Sequence, residues 1–148
     1  MPHSNSLLLM RNRHFMAECR RVIASSKHPL TAENIAAIAS TRPAPTFYVS
    51  YHYALRRIRY YARHGGKFPQ SGATAVYGEL YRRMLQKMKS GHYNEAQALN
   101  LVLAEGNAPC YYLRPRAAGF LYYQLRSNAK RKRSLKRTKS TSTTNPKR

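Results

Sequence analysis

At 148 residues the chain can bury one ordinary core, or two very small ones that lean on each other, since a unit of about 60 residues is only marginally stable alone. Lys and Arg number 27 against five Glu and no Asp, a formal net charge of +22 that repels itself unless a polyanion neutralises it. The composition holds no clustered carboxylates for metal-assisted phosphoryl transfer, no glycine-rich phosphate loop, no C-x-x-C or H-x-x-x-H pair and no apolar run long enough to span a membrane.

Residues 1–10 read as a flexible leader, because Leu7-Leu8-Leu9-Met10 is too short to span a bilayer and lacks the flanks of a signal peptide. A first helix is expected from about Arg11, with Phe15, Cys19, Val22, Ile23 and Ser26 on one face and Arg13, Arg20 and Arg21 away from it. Pro29 stops that helix, and Thr31 is placed to cap a second one whose apolar stripe is Ala32, Ile35, Ala36, Ile38 and Ala39. Pro43 and Pro45 end it and impose extended geometry on the residues around them. Phe47-Tyr48-Val49 is too short to stand as a strand, and Ser50 is a good cap for a third helix.

The third helix has the cleanest periodicity. Tyr51, Ala54, Leu55, Ile58, Tyr61 and Ala62 mark one buried face, while His52, Arg56, Arg59 and Arg63 fall on the other, flanked by Arg57, Tyr53 and Tyr60. Residues 65–72, rich in Gly and Pro, form a linker. Beyond it Val76, Tyr77, Leu80, Tyr81, Met84 and Met88 predict a long amphipathic helix. Asn94 with Gln97 forms a capping-box start for the next one, Gly106 suits its stop, and Pro115 suits the first position of a last helix.

Ala44-Pro45-Thr46-Phe47-Tyr48-Val49-Ser50 is matched 64 residues later by Ala108-Pro109-Cys110-Tyr111-Tyr112-Leu113-Arg114, and the same offset pairs Ala54 with Ala118. The expected fold is therefore all-α, with two tandem three-helix units, residues 11–64 and 73–126, sharing a core. Residues 127–148 carry nine Lys or Arg and no acidic or aromatic residue, which predicts a disordered basic tail.

A helix bearing His52, Arg56, Arg57, Arg59 and Arg63 suits contact with nucleic acid, because guanidinium groups bond phosphate oxygens or guanine edges bidentately. Lys130, Arg131, Lys132, Arg133, Lys136 and Arg137 add a phosphate clamp in the tail, although such a run also has the composition of a nuclear localisation signal. At the equivalent positions of the second unit, Arg116, Phe120, Tyr123 and Ser127 leave one basic residue of four. Packing against the first unit is the favoured reading of that aromatic face, ahead of a homodimer partner or base stacking. Most of the 12 Tyr read as core rings and the two Cys as reduced apolar side chains, so no catalytic residue, metal or cofactor is assigned.

Arg42-Pro43-Ala44-Pro45-Thr46-Phe47-Tyr48-Val49-Ser50, followed by Ala54 and Leu55, resembles a segment of small uncharacterised bacterial proteins, a resemblance that implies no activity. Three short helices with the last one basic are similar to helix-turn-helix DNA-binding domains, with the difference that residues 42–49 exceed the tight turn of that motif. The expectation is a cytoplasmic nucleic-acid-binding protein, nucleoid-associated if bacterial, that is not an enzyme and does not bind a membrane. DNA is favoured over RNA. An RNA-binding or ribosome-associated protein is the first alternative, and a scaffold for an acidic protein partner the second.

Overall fold

The computed structural model describes residues 5–143, and side chains over residues 6–137. Within them lie six α-helices: α1 (Asn5–Ser25), α2 (Ala32–Thr41), α3 (Tyr51–Arg63), α4 (Val76–Gly91), α5 (Glu95–Glu105) and α6 (Pro115–Thr143), with a 3-10 turn (Ala73–Ala75) ahead of α4. The only β pairing among the described residues is a single antiparallel bridge between Ala44 and Ala108.

Local chemistry sets the helix ends. The Thr31 hydroxyl accepts from the Asn34 backbone N–H at 3.1 Å, and Asn94 and Gln97 close a reciprocal capping box at 2.8 and 3.1 Å. Pro115 occupies the first position of α6, where its missing N–H costs nothing. Helix α1 begins at Asn5, so Leu7 to Met10, expected in a flexible leader, are helical; Met1 to Ser4 lie outside the described residues. The basic segment from Ser127, expected to be disordered, stands apart from the core, for every described side chain from Lys130 to Arg137 is exposed. Its backbone continues α6 as a helix to Thr143, as its helix-forming Lys, Arg, Ala and Leu without Gly or Pro allow. Residues 144–148 lie outside the described residues.

One core joins all six helices. It is built from Phe15, Cys19 and Val22 of α1, Ile35, Ala36 and Ala39 of α2, Ile58 of α3, Leu80 and Met84 of α4, Leu99 and Val102 of α5 and Tyr122 of α6, all buried. The helices do not all pair in chain order. Helix α3 rests on α4 and α5 and makes no contact with the two helices before it, while α6 rests on α1 and α2, its contact with α2 being the most extensive in the molecule. Each three-helix group therefore takes its third helix from the other half of the chain, and α2 and α3 do not pack together as the helices of a helix-turn-helix do.

The exchange repeats at an offset of 64. The α1–α2, α3–α4 and α3–α5 contacts have counterparts in α4–α5, α6–α1 and α6–α2. Ala44 and Ala108, Phe47 and Tyr111, Ala54 and Ala118, and Ile58 and Tyr122 are all buried. The extended segments cross where the Ala44 N–H donates to the Ala108 carbonyl at 2.9 Å and the Asn107 N–H to the Pro45 carbonyl at 3.0 Å. Gly106 makes the crossing possible: its φ is +67°, and a Cβ there would meet the Pro45 carbonyl oxygen at 2.4 Å. From α4, Arg83 donates to the carbonyls of Gly106 (3.0 Å) and Asn107 (2.9 Å) and lies 5.0 Å from the Phe47 ring centroid. The linker is anchored too, with Phe68 stacked on Tyr81 at 5.0 Å and tilted against Tyr61 at 5.4 Å.

The alanine substitutions at two glycines should have opposite signs. Gly106→Ala forces the crossing apart and is expected to cost about 2–4 kcal/mol, combining a strained φ with a backbone clash. Gly119→Ala, inside α6 with nothing within 4 Å of the new Cβ, is expected to stabilise by about 0.5–1 kcal/mol. Urea unfolding followed by circular dichroism reads both.

Buried Glu18 generates a second expectation. Its hydrogen bond from Arg21 holds the carboxyl below the usual range, against the opposing effect of burial and with help from Arg42. A depressed folded value means that this stabilisation is complete above the unfolded carboxyl's value of about 4.3 and disappears as pH falls through the lower folded one. In Glu18→Gln the loss of stability on acidification should be shallower, as measured by melting temperature against pH.

Candidate nucleic-acid interface

The outer face of α3 stands clear of the core because Ala54 and Ile58 turn inward at helical spacing. His52, Arg56, Arg59, Tyr60 and Arg63 are exposed together on it. Arg56 and Arg63 make no hydrogen bond or ion pair among the described residues and stand two turns apart, about 10.5 Å along the axis. The Arg59 Nε donates to Glu95 Oε1 at 2.9 Å, an exposed pair that anchors α3 to the start of α5 and that a phosphate would have to compete with. Tyr60 stacks on His64 at 4.2 Å, adding a flat ring to the guanidinium row.

Arg57 does not belong to this face. Its guanidinium lies half-buried, 5.0 Å from the Tyr61 ring centroid, 5.6 Å from that of Tyr60 and 6.0 Å from that of Tyr77, and donates to the Tyr61 hydroxyl at 2.6 Å. It is a packing residue between α3 and α4.

Every acidic side chain is engaged. Glu18 meets Arg21 and Arg42, Glu79 meets Arg82 and Arg83, Glu95 meets Arg59, Glu105 meets Lys87, and Glu33 accepts from the Tyr123 hydroxyl. These pairs involve six basic side chains of 27, so the acids balance only a small part of the basic charge.

The extended part of α6 divides the basic run. Arg131 and Lys132 line a groove of about 980 Å³ against α1, together with Arg13 and Arg20, and apolar Leu9, Met16, Leu125 and Leu135 line it as well. Lys130, Arg133, Lys136 and Arg137 are exposed outside that lining. Arg13 and Arg20 were not among the site residues read from sequence. Their i, i+7 spacing was visible, but their partners lie more than a hundred residues away.

Phe120 and Tyr123 of α6 do not pack as expected. They are 65 and 47% exposed, because Ala118 and Tyr122 turn that helix's buried side the other way. Inside the fold, burial pushes the Cys19 thiol up to about 12 and raises the Tyr48, Tyr77 and Tyr112 hydroxyls, so all four keep their protons near neutral pH. Among the described residues no three His, Cys, Asp or Glu side chains are grouped as a metal site would need, and no helix is long and apolar enough to cross a membrane.

No family model, curated protein or solved structure matches this chain. The fold is that of an all-helical protein with a strongly basic surface.

Arg57 and Arg56, adjacent in sequence, should separate in experiment. Arg57→Ala is expected to lower stability by about 1–3 kcal/mol as its packing against the rings is removed. Arg56→Ala should leave the denaturation midpoint within about 0.5 kcal/mol of the parent. Paired denaturant curves check the contrast.

Proposed function

We propose that the protein binds nucleic acid, DNA ahead of RNA, docking through the exposed α3 face and the basic extension of α6. The observation that carries this reading is the pair Arg56 and Arg63, aligned on one exposed helical face without an acidic partner of their own, all five glutamates being engaged with other side chains, Glu95 among them with Arg59 on that face. Like charges one or two turns apart repel, and a phosphate backbone offsets that cost while releasing its own counterions. On this reading Lys130, Arg133, Lys136 and Arg137 add sequence-independent affinity, and α3 supplies positioning. The reading is of binding without catalysis.

The repeated burial pattern and the exchanged third helices support a further part of the reading, that the two halves arose by duplication of one three-helix unit. The second copy then kept the exposed face while losing most of its basic residues. A scaffold role toward an acidic protein is favoured by one feature, the α1–α6 groove, whose mixed apolar and basic lining would suit an acidic amphipathic helix.

Replacing Lys130, Arg131, Lys132, Arg133, Lys136 and Arg137 with Gln in the full chain should leave the core helices intact and weaken binding to a labelled duplex. The slope of log affinity against log salt should become shallower by up to about 0.9 for each phosphate that is no longer neutralised. Fluorescence anisotropy at several salt concentrations, run on DNA and RNA duplexes of matched sequence, tests the reading and its preference for DNA. Undiminished affinity or an unchanged slope would remove the extension from the interface.

A further inference from the structure

We propose that the exposed face of α6 is a stacking platform for unpaired bases, so that the nucleic acid this protein takes includes a single-stranded segment. The inference rests on the nucleic-acid reading above and narrows it. Phe120 and Tyr123 stand three residues apart, neighbours on the helix surface with Cβ atoms about 5–6 Å apart, a spacing that one extended strand can span from one nucleotide to the next. Both rings lie in water although the same helix buries Tyr122, and Phe120 has no polar group to account for its exposure.

The surroundings of the two rings specify the ligand. The Arg116 guanidinium lies 5.7 Å from the Phe120 ring centroid, where it can bond a phosphate flanking a base stacked on that ring. Lys130 falls on the same helical stripe about 21 Å from Arg116, at a reach of several nucleotides. The Tyr123 hydroxyl donates to Glu33 Oε1 at 2.8 Å, which fixes the ring by its edge. A carboxylate there repels phosphate and leaves the ring to an uncharged partner, a base. An aromatic pair between cationic ends is how strands are held without sequence preference, because every base has a π face. A second copy of the chain is a poor occupant, since it would bring Arg116 and Lys130 against another surface of a +22 chain.

The test uses the full chain, a fluorescein-labelled oligothymidine and a duplex of equal length. In Phe120→Ala/Tyr123→Ala, affinity for oligothymidine should fall on the order of ten-fold or more for the pair while duplex affinity holds. Tyr123→Phe should keep most of the single-strand affinity, and Arg56→Ala/Arg63→Ala should weaken duplex binding. An oligothymidine carrying 5-iodouracil should crosslink under ultraviolet light to the tryptic peptide running from Ala117 to Arg126, a readout on the unmutated protein that does not depend on the variant folding. Equal loss for strand and duplex, no loss for either, or crosslinks mapping elsewhere would overturn the platform while leaving nucleic-acid binding standing. Conversion of a dimer to a monomer by the double variant in sedimentation would overturn it in favour of an interface between copies. Failure of the parent chain to bind any strand or duplex would overturn the broader reading, and the platform with it.

Discussion

Two hydrogen bonds between extended segments hold this molecule in its arrangement. Where the Ala44 N–H reaches Ala108 and the Asn107 N–H reaches Pro45, the two halves of the chain cross, and each third helix is delivered to the opposite half. A Cβ on Gly106 would run into the Pro45 carbonyl there, and Ala44, Ala108, Phe47 and Tyr111 of the crossing segments are all buried. Arg83 then secures it by bonding the carbonyls next to the crossing, and Glu79 holds Arg83 in place at 2.7 Å. The helices supply most of the buried apolar area, but the crossing decides which helices meet.

The few acids are distributed as structural fasteners. Glu18 joins α1 to the end of α2, Glu105 and Lys87 join α5 to α4, and the first turns of α2 and α5 each hold an exchanged helix, through Glu33 to Tyr123 and Glu95 to Arg59. Acidic side chains near a helix N-terminus also complement its dipole. One consequence is that the exposed basic surface is defined by what the glutamates leave alone. Arg56 and Arg63 are available while Arg59, on the same face, is engaged.

Features governed by neighbours in sequence were legible before the structure. Thr31, Asn94 with Gln97, and Pro115 mark helix starts through contacts within one turn, and the spacing of Ala54 and Ile58 shows which side of α3 is buried. Periodicity says that a face is covered but not by what, so the packing of α3 on α4 and α5 could not be read from it. Arg57 looked like one more flanking cation because Tyr77, which it meets, lies twenty positions on. Phe120 and Tyr123 looked like core because large rings usually are; their exposure follows from the twist that places Ala118 and Tyr122 inward. Low hydrophobicity after Arg126 correctly signalled a segment outside the core, but composition of that kind speaks to burial and leaves the backbone free to continue as helix.

The exchange of third helices also sets the order in which the chain can be completed during synthesis. Helix α3 leaves the ribosome before α4 and α5 exist, with an apolar face that has nothing to cover it until they follow. Helices α1 and α2 wait longer, for α6, the last of the described helices. The α1–α2 pair is thus closed only after α3, α4 and α5 have been made, across a long stretch of sequence, which slows folding relative to a bundle of consecutive helices. A truncated product ending in the linker would therefore expose two unfinished surfaces, each complementary to the half that is missing.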